Sequence, residues 1–281
     1  LPILRFQNLP QVFHIGNNHL DGANAIGQAN KLSPKNYTSE IKKGAEGRVS
    51  LPFGEGRGRA SNDISWDLEF TANGHRFEHV PPLVKFLRVA KSTYDACFLD
   101  LRFSGTVKVG SEIITLKNRP GMIGHIYGKK SAHSWAWAHC NNFEGQANVI
   151  FEGLSARIKL AGKVTKPLSS FILIVGERRY VFSSTIKLLT AQSAFGDGRW
   201  EFMVKNSKVM LKGTATAPGK VALVEYTDTD NSNLWCYNSK MAALKLELTD
   251  LKTKSVEVFE SKATAAFEIV NRELPSQRVD L

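Results

Sequence analysis

Long hydrophobic runs are missing from this 281-residue chain. The longest, Phe171 to Val175, is strand-sized, far short of the roughly 20 apolar residues that a membrane-crossing helix requires. Cysteine is scarce. Cys97, Cys140 and Cys236 are odd in number and widely spaced, which fits neither a disulfide framework nor a zinc pattern. Unpaired thiols favour a reducing compartment, so a cytoplasmic location, or one peripheral to a membrane, is expected. The Gly-rich run Gly54 to Gly58 has no following Lys-Ser/Thr and so is no phosphate loop. There is no Gly-x-Ser-x-Gly elbow either. Basic residues outnumber acidic ones, 37 to 26, for a net charge of +11, yet they form no block. They are scattered singly or in pairs such as Lys42-Lys43, Lys129-Lys130 and Arg178-Arg179. A specific nucleic-acid partner is therefore not expected, and the charge reads as general solubility with weak attraction to a membrane surface. The chain begins at Leu1 rather than Met, so an upstream piece is expected to have been removed or to be missing. The residues given hold no signal-peptide pattern.

What is present is a β protein. Hydrophobic residues make up 42% and charged residues 22%, a balance that folds, and 22 glycines suit many turns. Residues 1–59 are rich in turn signals: Gly16-Asn17-Asn18, Asp21-Gly22, Ser33-Pro34 and the Gly54 to Arg59 run. Ile64, Trp66, Leu68 and Phe70 then alternate with Ser65, Asp67 and Glu69, a half-buried strand that turns at Asn73-Gly74. Cys97 to Phe103 predicts a strand turning at Ser104-Gly105, and Thr106 to Val109 with Glu112 to Leu116 predicts a hairpin around Gly110. Eleven short strands are predicted after Gln146, among them Asn148 to Phe151, Leu234 to Tyr237, Ala243 to Leu248, Ser255 to Glu260 and Ala265 to Val270. Their short spacing argues for antiparallel meanders, not βαβ units. Val84 to Ala90 and Thr185 to Ala191 suit short helices. The strand count exceeds one small sheet. Two packed barrels or sandwiches are expected, over residues 1–145 and 146–281.

The segment Gly121 to Phe143, GMIGHIYGKKSAHSWAWAHCNNF, concentrates two Trp, three His, a Tyr, a Cys and two Asn. Trp135, Trp137, His139 and Asn141 share one parity, and Ser134, Ala136, Ala138 and Cys140 share the other. A strand here would carry bulk on one face and small residues on the other. The rings would face either a cavity or the seam between two barrels. Spacings of eight and six residues between His125, His133 and His139 match no compact metal pattern, so no metal is expected.

With the preceding hairpin FSGTVKVGSEIITL, this segment resembles the superfamily of tocopherol cyclases, carotenoid 1,2-hydratases and related lipocalin-like proteins. Tyr127-Gly128 stands where that group has a Trp-Gly pair. Trp135-Ala136-Trp137 matches its Trp-x-Trp, and Cys140-Asn141 with Phe143 matches the tail. A second block, Val224 to Leu248, resembles the C-terminal signature through Asp228-Thr229-Asp230, Asn238-Ser239 and the strand Ala242 to Leu248. Trp200 to Pro218 is a weaker echo. The resemblance implies an all-β fold of two antiparallel lipocalin-like β-barrels in tandem, with a cavity for an apolar small molecule, an isoprenoid or a lipid. It implies cofactor-free cyclase or hydratase chemistry. The alternative is a non-catalytic carrier of an apolar ligand.

Protonating an alkene calls for an acid shielded from water and for π faces that stabilise the cation. Burial raises a carboxyl pKa, which makes Asp100 and Glu225 the candidate acids. Asp100 could equally serve a structural pairing with Arg102. His139 joins them as a group to take the last proton or position water. His125, Tyr127, His133, Trp135, Trp137, Cys140 and Asn141 are the candidate ligand-binding residues. A buried carboxylate facing the aromatic cluster would favour the enzyme, an all-apolar cavity the carrier. Turn chemistry alone accounts for Asp228 and Asp230, and Asn238-Ser239 suits a turn or corner.

Overall fold

The computed structural model describes strand backbone at residues 13–20, 46–52 and 64–72, and the chain over 75–273 apart from 88, 110, 129, 219–221 and 229. Side chains are described for Phe70 and over 75–273, except at 88, 107–110, 125, 127, 129, 219–227 and 229.

The fold is all-β. One sheet holds β1 (Phe13–Leu20), β2 (Glu46–Pro52), β3 (Ile64–Ala72), β4 (Phe77–Glu78), β5 (Ser92–Val109) and β6 (Glu112–Gly128). Its order is β1-β6-β5-β3-β2, with β4 also on β5. All its pairs are antiparallel except β1 with β6. A short helix, α1 (Pro82–Phe86), links β4 to β5.

The second sheet curls into a large antiparallel half-barrel. It contains β7 (Ser134–Cys140), β8 (Val149–Arg157), β11 (Leu168–Val175), β12 (Arg178–Phe182), β13 (Gln192–Gly196), β14 (Arg199–Lys205), β15 (Val209–Thr216), β16 (Ala222–Thr227), β17 (Asn233–Asp250) and β18 (Val256–Asn271). Its order is β12-β11-β8-β7-β18-β17-β15-β14-β13, with β16 also on β17. The small hairpin β9 (Lys159–Leu160) and β10 (Lys163–Val164) lies apart from it, and α2 (Thr185–Thr190) follows β12.

Burial along each strand shows where the sheets meet. β14 and β15 alternate buried and more exposed residues, one face on a core and one in water. β7, β8 and most of β11 are buried on both parities. The unbroken apolar run Phe171 to Val175 follows from that: these strands have a core on either side. On one side Phe151, Phe171, Trp200 and Phe202 stack at centroid separations of 4.5–6.4 Å and fill the inside of the curled sheet. On the other, Trp137, Ile150, Ile172, Ile174 and Ala266 pack against Phe77, Ala96, Leu99 and Met122 of the first sheet. β7 therefore belongs to the ten-stranded sheet, although it precedes residue 145.

The helix expected from Thr185 forms over Thr185–Thr190, whereas the one expected over Val84 to Ala90 lies earlier, at Pro82–Phe86. Hairpins turn at Gly176, whose φ is 58°, and at Asn206, whose side chain accepts from the backbone N–H of Lys208 and Val209. Several expected turns are instead absorbed into strands. Gly16 to Asn18 lies within β1, where pairing along the β6 edge overrides local turn preference. Ser104-Gly105 is a bulge within the 18-residue β5, with Gly105 at φ 132°. Asn238-Ser239 lies inside β17 beside a register shift, and the Ser239 hydroxyl accepts from the Met241 N–H at 3.0 Å. Four predicted strands thus merge into two, β17 and β18, long enough to curl. The predicted turns at Asp21-Gly22, Ser33-Pro34, Gly54 to Arg59 and Asn73-Gly74 lie outside the described residues. The three cysteines are free thiols, and no described helix is long and apolar enough to cross a membrane.

Candidate active site

At the seam between the sheets, a carboxylate sits with no solvent contact. Glu152 on β8 is 0% exposed, as is His139 opposite it on β7, and His79 from the first sheet's side is 1% exposed. His139 Nδ1 lies 2.8 Å from Glu152 Oε2, and His79 Nε2 lies 3.2 Å from Oε1. The Trp137 indole N–H donates to the same Oε1 at 2.5 Å. The far nitrogen of His79, Nδ1, is 2.7 Å from the Ser170 hydroxyl. Burial pushes the Glu152 carboxyl upward, but the hydrogen bonds and charge of His139 and His79 outweigh it and hold the group below its ordinary value of 4.5. Glu152 is thus an ionised acceptor, and both imidazoles donate to it.

Two polar atoms here lack a hydrogen-bond partner: His139 Nε2 and the Tyr94 hydroxyl. The Tyr94 ring lies 5.3 Å from His79 and meets Trp137 edge-on at 6.1 Å. The Trp137 N–H donates to Glu152, and its weaker interaction with the Tyr94 hydroxyl only partly offsets the effects that raise that group's pKa. Burial, then the nearby Glu152 and Glu268, push the Tyr94 hydroxyl well above 10, so it stays protonated. The ring fits because residue 124 is glycine. A Cβ there would come within 2.4 Å of the Tyr94 oxygen.

A second carboxylate flanks Trp137 from the other neighbouring strand, where Glu268 of β18 stands opposite it. Glu268 accepts from the Trp135 indole at 2.8 Å and from Asn238 Nδ2 at 3.3 Å. The Lys240 ammonium lies 5.4 Å over the Trp137 ring. Burial lowers the Lys240 pKa, with Glu268 opposing. The acidic turn ties the start of β7 to the end of β18. Buried Asp228 accepts from Arg272 at 2.6 Å and from the Ser131 backbone N–H at 3.2 Å, while Asp230 pairs with Lys130.

The structure brings together three of the residues expected from sequence, Trp135, Trp137 and His139, on one face of β7. Cys140 points the opposite way, into the aromatic core, where strand parity sends it. Asn141 is buried at the end of β7, where its Nδ2 donates to Leu99 O, Gly121 O and Asp100 Oδ1 and ties the two sheets together. Asp100 also lies 3.5 Å from Arg102, the structural pairing that the sequence left open. His133 precedes β7 and is half-buried; burial and then Arg272, Lys159 and Arg157 lower its pKa. The side chains of His125, Tyr127 and Glu225 lie outside the described residues. Glu152, His79, Tyr94, Glu268 and Lys240 were not anticipated. A signal existed for two of them: Glu152 and Glu268 are each a lone acid within an apolar strand run, in VIFEGL and AAFEIV. Among the described residues, no three His, Cys, Asp or Glu side chains are arranged to hold a metal ion.

A family model described as tocopherol cyclase-like matches residues 4–270. The chain belongs to that family. It is similar to two uncharacterized proteins of Mycobacterium tuberculosis, one from strain CDC 1551 and one from strain H37Rv, each 23% identical over 147 residues. That alignment covers 52% of this chain and 44% of each relative, so the chain spans less than half the length of the curated relatives it matches. No solved structure matches the chain.

Proposed function

We propose that this chain is a cofactor-free, isoprenoid- or lipid-directed cyclase or hydratase, with His139, Glu152 and His79 performing the acid–base work. One observation carries the reading: a fully buried carboxylate held between two imidazoles against the rings of Trp137 and Tyr94. A carrier of an apolar ligand needs only a cavity and a few polar anchors. Burying a carboxylate and two imidazoles costs free energy that mere retention of such a ligand does not require.

Addition of an O–H across a carbon–carbon double bond does require such groups. A proton goes to one alkene carbon, and a cation forms at its neighbour. The oxygen of water, or of the substrate's own hydroxyl, bonds to that cation and releases its proton. Nothing is oxidised or reduced. With Glu152 ionised, the imidazoles hold the mobile protons. His139 Nε2, the atom without a partner, is placed to give one or take one, and His79 on the other carboxylate oxygen completes the relay. The π faces of Trp137 and Tyr94 stabilise positive charge, and the Tyr94 hydroxyl donates to a ligand oxygen. The ligand lies at the seam between two lipocalin-like barrels in tandem, since Phe151, Phe171, Trp200 and Phe202 fill the inside of the curled sheet. Asp100, in contact with Asn141 and Arg102, is given no step in this scheme.

The test is incubation with a prenylated hydroquinone in deuterated water. Wild-type protein should yield a cyclised isomer carrying one carbon-bound deuterium, or a product heavier by one water. Glu152→Gln and His139→Gln should each lower the rate about 100-fold while remaining folded. A hydroquinone that is bound but never altered or deuterated would make the protein a carrier.

A further inference from the structure

Large apolar side chains on the surface are unevenly placed. Among the described residues, five of the eleven exposed ones belong to two short helices and a cap residue: Leu83, Phe86 and the α1 cap residue Leu87 at 54%, 82% and 58%, and Ile186 and Leu189 of α2 at 68% each. Neither helix buries any residue. A helix of five or six residues is too short to be stable by itself.

The segments that carry them hold charge of one sign. The sequence from His79 to Lys91 contains Lys85, Arg88 and Lys91 and no acid, and Arg178 to Gln192 contains Arg178, Arg179 and Lys187 and no acid. Acids approach from neighbouring elements: Glu78 and Asp95 pair with Lys85 and Arg76, and Glu257 pairs with Arg178. The Arg179 guanidinium donates to the Arg76 carbonyl and Lys187 donates to the Lys205 carbonyl, and neither contact involves a carboxylate.

Both helices are tied to β11. α2 packs directly on it. α1 begins three residues after His79, whose ring meets Ser170 of β11. The Arg179–Arg76 contact joins β12, the strand leading to α2, to the segment just before β4.

We infer that α1 and α2 form a peripheral docking surface for an anionic lipid membrane, the apolar side chains entering the acyl boundary and the cations meeting the headgroups. The occupant is lipid and not a second copy of the chain, because this surface and the chain as a whole, at +11, are both cationic and like surfaces repel. This goes beyond the proposed reaction and does not depend on it. The adjoining segment carries His79, so docking would set the edge of the seam against the phase in which apolar molecules dissolve.

Co-sedimentation with phosphatidylcholine vesicles, with and without phosphatidylglycerol, tests this. Wild-type protein should bind, and more strongly with phosphatidylglycerol. The double substitutions Phe86→Ser with Leu87→Ser, and Ile186→Ser with Leu189→Ser, should each weaken binding about tenfold and leave the unfolding midpoint unchanged, since the replaced side chains are exposed. Failure to bind either vesicle would overturn the inference. So would binding that ignores these substitutions, or self-association without lipid that the same substitutions abolish. Hydroquinone turnover by a protein that fails to bind vesicles would separate this inference from the proposed reaction.

Discussion

His139 and Glu152 face each other across neighbouring strands of one sheet, both completely buried, with Nδ1 2.8 Å from Oε2. A carboxylate taken out of water is held only if its oxygens find donors, and here Oε2 faces His139 while Oε1 takes contacts from Trp137 and His79. The relay is therefore a cooperative unit whose members fail together.

Glu152→Gln should destabilise the fold by about 3 kcal/mol in denaturant titration, because it turns one of the two acceptor oxygens into an N–H donor and leaves a buried N–H facing it unsatisfied. The pH dependence follows from the lowered carboxyl pKa. A carboxyl depressed in the folded state stabilises above its unfolded value, near 4.5, and that contribution is lost as pH falls through the folded value. Wild-type stability should drop below about pH 4.5, and the Gln variant should show a shallower acid limb. Identical acid limbs would contradict the assignment of Glu152 as ionised.

Tyr94→Phe should raise thermal stability. The hydroxyl it removes is buried and unpartnered, an arrangement that costs about 1–3 kcal/mol. If that hydroxyl donates to a ligand oxygen, the same variant should turn over the hydroquinone more slowly. A gain in midpoint with a loss in rate would mark Tyr94 as kept for chemistry; a loss in both would mark it as packing.

Gly213→Ala should destabilise strongly, since the new Cβ would meet Phe202 Cζ at 2.1 Å. Phe202→Leu removes the clashing ring atoms and should partly rescue it, although it costs stability alone. Coupling in the double-mutant cycle is the readout; additive effects would show that the ring does not lie on Gly213.

The sequence made the β class and the Trp-bearing strand legible because alternation and turn residues act locally. It overcounted strands because local turn chemistry at Asn238-Ser239 and Gly16 to Asn18 yields to ladder pairing with neighbours far away in sequence. His139 could be placed by parity with Trp137. Glu152 could not, since its partner His79 lies 73 residues away. The acids favoured from sequence, Asp100 and Glu225, precede motifs that resemble the family's. A lone acid in an apolar run sets Glu152 apart, but its partner His79 is brought to it only by the packing of one sheet on another.

β7 is the common wall of two compartments. Ala136 and Ala138 line the aromatic core on one side, while Trp137 and His139 line the seam on the other. A larger residue at either alanine would have no room toward Phe151 and Phe171 and would push the strand toward the seam. The inside of the curled sheet and the chemistry outside it therefore cannot vary independently, and a substitution tolerated by one must also be tolerated by the other.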